Sequence, residues 1–178
     1  MTLVRTTLLL GVTLVILTGC NLVIGTEDHE AYPADCGAES LANAQNSFSD
    51  ERNGHCYALV RTDDEENGTD FSTAKDSCTE AGGALACVND AEELDLMARN
   101  VQARPWLGMN ARAAANLETF RCITGERFAP DFTAWADGHP NSDEGGSCTI
   151  LVDGRVVSRW CGNGIDFWLC ELAPPSGE

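Results

Sequence analysis

The chain has 178 residues and sets 11 lysines and arginines against 28 aspartates and glutamates, for a formal net charge of −17. A surface that acidic makes nucleic acid and anionic lipid headgroups poor partners, because it repels both. Hydrophobic residues make up 43% of the chain, enough for a single core once the export segment at its start is set aside.

That segment comes first in chain order. Arg5 supplies a positive n-region and Leu8 to Leu17 a short apolar run, too short for a comfortable membrane span of roughly 20 residues. Leu17-Thr18-Gly19-Cys20 closes it and resembles a bacterial lipobox. The resemblance implies cleavage before Cys20, acylation of its thiol and amine, and a lipid anchor stronger than one acyl chain gives. Asn21 in place of an aspartate resembles the outer-membrane-sorted lipoproteins, so the expected location is a bacterial cell envelope, at the outer membrane or cell surface. Cleavage removes one arginine and no acid, which takes the charge from −17 to −18.

Residues 20–35 read as the lipidated N-terminus and a polar tether. Residues 36–54, rich in Asn, Ser, Gln and Gly, read as a loosely structured extension, and residues 55–172 as the domain, with a tail at 173–178. Cys56 to Val60 predicts a first strand. An acidic turn follows, Asp63 to Asp70, which matches several positions of a calcium-binding helix-loop-helix loop but has Ala74 where its bidentate glutamate belongs. It is read as a solvated turn.

Phe71, Ala74 and Cys78 recur at helical spacing, and Gly82-Gly83 supplies the stop. Ala84 to Val88 reads as a short buried strand. Asp90 with Glu93 gives a capping-box start to a second helix, whose apolar stripe is Leu94, Met97, Ala98 and Val101. Pro105 to Met109 and Phe120 to Ile123 predict further strands. A long stretch of Gly, Pro, Asp and Asn then spans roughly 124–147, a length that in a compact domain usually carries function. Thr149 to Val152 and Arg155 to Val157 flank Asp153-Gly154, a two-residue hairpin signal, and Phe167 to Glu171 closes the sheet. Strands and two helices segregate into an α+β pattern.

Nine cysteines less the acylated Cys20 leave Cys36, Cys56, Cys78, Cys87, Cys122, Cys148, Cys161 and Cys170. An even set in an exported chain implies four disulfides, and no C-x2-C pair points to zinc. Number alone leaves 105 pairings open.

Several motifs in one order resemble the C-type lectin-like domain over roughly 55–172. They are His55-Cys56-Tyr57; Phe71, Ala74 and Cys78; Gly82-Gly83-Ala84-Leu85-Ala86; Glu93-Leu94; Trp106-Leu107-Gly108-Met109; Trp135 to Asn141; and Cys148, Trp160-Cys161 and Phe167 to Glu171. The resemblance implies a C-type lectin-like fold, with two helices packed on small, mainly antiparallel sheets and a long irregular loop. It also implies the disulfides Cys78–Cys170 and Cys148–Cys161, and suggests Cys36–Cys56 and Cys87–Cys122 for the rest.

In sugar-binding members, a Glu-Pro-Asn or Gln-Pro-Asp loop, a later acid and a Trp-Asn-Asp triplet hold calcium, and the ion takes two sugar hydroxyls. Calcium wants six to eight hard oxygens, which explains the crowding. The loop here reads His139-Pro140-Asn141, Gly146 stands two before Cys148, and Trp160 runs straight into Cys161 with no Asn-Asp. The calcium motif is therefore degenerate. A rearranged calcium site is expected, if anywhere, from Asp137, Asn141, Asp143 and Glu144; no cofactor is otherwise implied. The expected ligand contacts are these four with Trp135 and His139, while Trp106 and Trp168 belong to the core and Trp160 to a core or loop-anchoring position.

The function this implies is an envelope-anchored binding module for a glycan, or, as the alternative, a calcium-independent module for a surface protein. A purely structural or adhesive envelope component would carry the same sequence features. No enzyme is read: Gly145-Gly146-Ser147-Cys148-Thr149 lacks the closing glycine of a nucleophile elbow, and His29, His55 and His139 have no metal-ligand spacing.

Overall fold

The structure, a computed structural model, describes residues 41–111, 120–125, 134–141 and 147–172. Within them the chain runs β1 (Ala44–Ser49), β2 (Cys56–Arg61), α1 (Phe71–Glu80), β3 (Gly83–Leu85), α2 (Ala91–Asn100), β4 (Trp106–Ala111), β5 (Phe120–Cys122), β6 (Cys148–Val152), β7 (Arg155–Arg159) and β8 (Phe167–Leu172). No described helix is long and apolar enough to cross a membrane.

Local chemistry sets the helix ends. Asp70 accepts the Thr73 N–H (2.8 Å) at the start of α1, and Gly82, with φ +85°, follows its C-cap Ala81. Asp90 accepts the Glu93 N–H (2.7 Å) at the start of α2, and Glu93 reaches back to the Asn89 N–H (2.7 Å), one residue ahead of the cap. The other Glu93 oxygen accepts the Tyr57 hydroxyl (2.5 Å), so a residue first read as a cap is also a core acid, 2% exposed. Burial raises its carboxyl above the ordinary glutamate range, against the pull of those two donors.

The strands form one connected sheet in the order β1-β2-β8-β4-β6-β7, with β3 also on β8 and β5 also on β4. β8 pairs with β2 from Cys56↔Leu172 to Arg61↔Phe167 and with β3 at Gly83↔Leu172 to Leu85↔Cys170; it meets β4 in parallel at Trp106↔Trp168. The small sheets implied by the resemblance are joined into one through β8. Between Leu107 and Asn110 the β4–β6 register shifts, and Thr149 fills the irregularity by placing its hydroxyl 3.0 Å from the Met109 carbonyl and 3.3 Å from that of Leu107. The β6–β7 turn has positive φ at both Asp153 (48°) and Gly154 (72°), the backbone that a two-residue hairpin demands.

Alternation on the central strands divides the core in two. Tyr57, Leu59, Met97, Leu107, Met109, Phe120 and Leu169 share one cluster, whereas Ala58, Val60, Phe71, Cys78, Trp106, Trp168 and Cys170 share the other. Trp106 is fully buried and donates its indole N–H to the Thr69 carbonyl (2.6 Å).

One expectation is corrected. The extension read as loosely structured contains β1, which pairs antiparallel with β2 from Ala44↔Val60 to Ser49↔Cys56. β1 is an edge strand whose Gln45 and Asn46 face solvent, and its register shifts between Ala44 and Asn46, so no alternating pattern survives in the letters. Phe48, stacked on Tyr57 at 5.2 Å, is its apolar anchor.

Three disulfides lie within the described residues: Cys78–Cys170, Cys87–Cys122 and Cys148–Cys161. Cys56 is also disulfide-bonded, while Cys36, its expected partner, lies outside the described residues. The Cys78–Cys170 bridge closes 92 residues of sequence, so its loss frees the most unfolded-state entropy. Replacing both cysteines by serine should cost about 4–5 kcal/mol on chain-entropy grounds. Urea unfolding of the exported protein measures this, and an unchanged midpoint would contradict it.

Candidate functional site

The segment from Ala134 to Asn141 runs along the open side of β7, the edge strand. Val156 donates its N–H to the Ala134 carbonyl (2.8 Å) and accepts the Ala136 N–H (2.9 Å). The next outward-facing donor on β7 is the Ser158 N–H. It is taken by a side chain, Nδ1 of His139, at 3.3 Å.

Around that contact the loop closes on itself. The Ser158 hydroxyl lies 2.8 Å from His139 Nδ1, accepts the Asn141 N–H at 3.0 Å, and lies 3.4 Å from the Asn141 carbonyl. Because a backbone N–H can only donate, His139 Nδ1 acts as acceptor, which places the ring proton on Nε2. The His139–Pro140 peptide is cis, and His139 N–H donates to the Ala136 carbonyl at 3.0 Å across a turn containing Gly138 at φ +79°.

Of the six residues expected to contact ligand, the structure brings two together, His139 and Asn141, with Asn141 Nδ2 3.4 Å from His139 Nδ1. Trp135 is half-buried and packs edge-on against Phe120 at 4.8 Å. Asp137 lies exposed on the turn before His139. Asp143 and Glu144 lie outside the described residues. Two concavities beside the β6–β7 hairpin, of about 470 and 340 Å³, are lined by none of the six.

Sequence reasoning missed Ser158. It sought the triplet at Trp160, but the strand residues beside the His139–Asn141 loop are Val156, Val157 and Ser158, and Trp160 lies past the end of β7. Counting from the Asp153-Gly154 turn along a five-residue strand would have found them. The placement of Trp160 is corrected as well: it is 56% exposed, neither core nor anchor.

The described donors do not fit calcium. The loop and strand together offer an imidazole nitrogen already engaged, one amide, one hydroxyl and the single carboxylate of Asp137, and the Val157 side chain offers no oxygen, against a need for six to eight. Among the described residues no group of three or more His, Cys, Asp or Glu side chains is placed to hold a metal.

Comparison with known proteins identifies the class. Residues 67–172, more than half the chain, match the family described as Lectin C-type domain, and the chain belongs to that family. The mouse scavenger receptor C-type lectin carbohydrate-recognition domain aligns at 18% identity with a TM-score of 0.56, covering 76% of this chain and 98% of that one. The cow CD23 carbohydrate-recognition domain, solved in the presence of a GlcNAc2Man3 oligosaccharide, aligns at 22% identity and 0.54, over 67% and 88%. The C-type lectin domain of murine dendritic cell inhibitory receptor 2, solved in complex with N-glycan, aligns at 19% and 0.53, over 66% and 90%. At these identities the likeness establishes the fold. No curated protein matches the chain.

The hydroxyl of Ser158 organises the loop, so Ser158→Ala should release it locally. The Asn141 N–H loses its acceptor, at about 1 kcal/mol, and its amide should exchange roughly 5–10 times faster while the global unfolding midpoint moves little. Hydrogen exchange read by NMR measures both, and unchanged Asn141 exchange would contradict the assignment.

Proposed function

We propose that this protein is a lipid-anchored module of the bacterial cell envelope that binds glycans without calcium. Its family consists generally of non-catalytic binding domains, and two similar domains were solved with oligosaccharides present. Support for calcium independence comes from one observation above all. At the family's calcium motif, the Nδ1 of His139 is engaged by the N–H and hydroxyl of Ser158 on the edge of β7, and Asn141 is tied to the same hydroxyl through its backbone. Support for the envelope address comes from the signal-like start and the Leu17-Thr18-Gly19-Cys20 tetrad.

A glycan array probed with the full chain in detergent, with and without chelator, tests the binding reading. The expected result is a glycan signal that chelator leaves unchanged. Loss of signal with chelator would overturn calcium independence, and no signal in either condition would favour the alternative, a protein ligand.

Labelled palmitate tests the anchor. Wild type should incorporate it and fractionate with the envelope, and Cys20→Ser should do neither; equal labelling of the two would defeat the lipobox reading.

A further inference from the structure

Among the described residues, Trp160 is the large apolar side chain left open to solvent, 56% exposed. It does not hang free. A Cβ built on Gly162 would lie 2.9 Å from both Cζ2 and Cη2 of the indole and 3.2 Å from Cε2, so the six-membered ring rests directly on the glycine backbone. Only glycine permits that approach without moving the ring.

The turn beneath the ring is fixed on every side. The Asn163 N–H donates to the Trp160 carbonyl (3.1 Å), Cys161 is bonded to Cys148, and the Cys161 carbonyl accepts the Phe71 N–H at the start of α1 (3.1 Å). Thr69 and Ile165 exchange two backbone hydrogen bonds of 2.9 and 3.1 Å just beyond it. The result is an indole with one face on a rigid turn and the rest presented to solvent.

We propose that Trp160 is a stacking platform for the apolar face of a pyranose ring, an inference that rests on the glycan reading above and gives it a contact residue. The chemistry favours a sugar over a protein partner. A protein interface centres its anchors in a contiguous apolar patch, whereas among the described residues this indole is the one large apolar side chain that is exposed. Arg159 beside it in the chain, Asn163, whose N–H donates to the Trp160 carbonyl, and Ser147, whose hydroxyl sits 3.2 Å from the Sγ of the adjoining Cys161, are polar. A sugar needs just that: one flat apolar surface for its C–H face and hydrogen-bonding groups at the rim. The platform also lies past the end of the strand carrying Ser158, at the exit of the long loop. A fixed indole loses little freedom on binding.

The test compares the full chain in detergent with its Trp160→Ala and Gly162→Ala variants. Each is probed on a printed oligosaccharide array and then titrated with the pure oligosaccharide that gives the wild type its strongest signal. Trp160→Ala should bind about tenfold more weakly with an unchanged thermal midpoint, since the ring it removes is exposed. Gly162→Ala keeps the indole but displaces it, and should weaken binding severalfold; it serves as the independent variant should Trp160→Ala fold poorly. Wild-type affinity in both variants would overturn the platform and leave glycan binding standing. No wild-type signal on the array would overturn both. A wild-type dimer in sedimentation that Trp160→Ala dissociates would put a second copy of the chain on the ring instead, and would overturn the proposal as well.

Discussion

Cys170 sits where three constraints meet: its backbone pairs with Ala58 on one edge of β8 and with Leu85 on the other, and its sulfur is bonded to Cys78 of α1. Among the described elements β8 comes last, yet it lies at the centre of the sheet order, between β2 and β4. Everything toward the long loop hangs from this point, because β4 joins the sheet through β8 while β5 and β6 both pair with β4. The loop leaves from Cys122, bonded to Cys87, and returns at Cys148, bonded to Cys161. Its two ends are therefore pinned whatever lies between them, and the site needs no regular structure of its own.

The same loop answers a problem created by the sheet. β7 is an edge strand, and an open edge invites pairing with another chain. Backbone from Ala134 to Ala136 covers the Val156 position, and where that backbone diverges the imidazole of His139 takes the next donor at Ser158. A lone pair that accepts two contacts from Ser158 is not available to a metal or ligand without undoing the cap. The stretch from His139 to Asn141 thus seals the sheet edge at Ser158, and on the proposed reading recognition falls to surface nearby.

The letters made part of this visible and hid part for physical reasons. Asp153-Gly154, Gly82 and the Asp90–Glu93 pair read correctly because turn and cap chemistry is local, needing no knowledge of what packs above. β1 did not, since an edge strand with solvent on one side and a register shift shows no alternation. Ser158 escaped because its role depends on a loop some 17 residues earlier folding back across the edge, and a serine on a strand has no signature of that. Trp160 escaped for the opposite reason: tryptophan reads as burial by default. The backbone of Gly162, two residues on in the same turn, shows why the ring lies where it does, but a glycine after a tryptophan has no signature of that packing.

An aromatic platform and a calcium ion make different kinds of lectin. An ion that accepts two hydroxyls fixes their stereochemistry, while a stacked indole selects a flat apolar face and tolerates variation at the rim. One such contact is worth about 0.5–1.5 kcal/mol beyond the area it buries, roughly a two- to thirteenfold gain in affinity, which is small against the cost of immobilising a ligand. A single domain of this design would hold a glycan weakly and release it fast. Anchoring through Cys20, as proposed above, changes the arithmetic, since many domains held in one membrane meet a repeating polysaccharide at high effective concentration and gain avidity without any new contact. On that proposed reading the lipid anchor and the weak site belong together: the binding strength of the module would reside in its display on a surface.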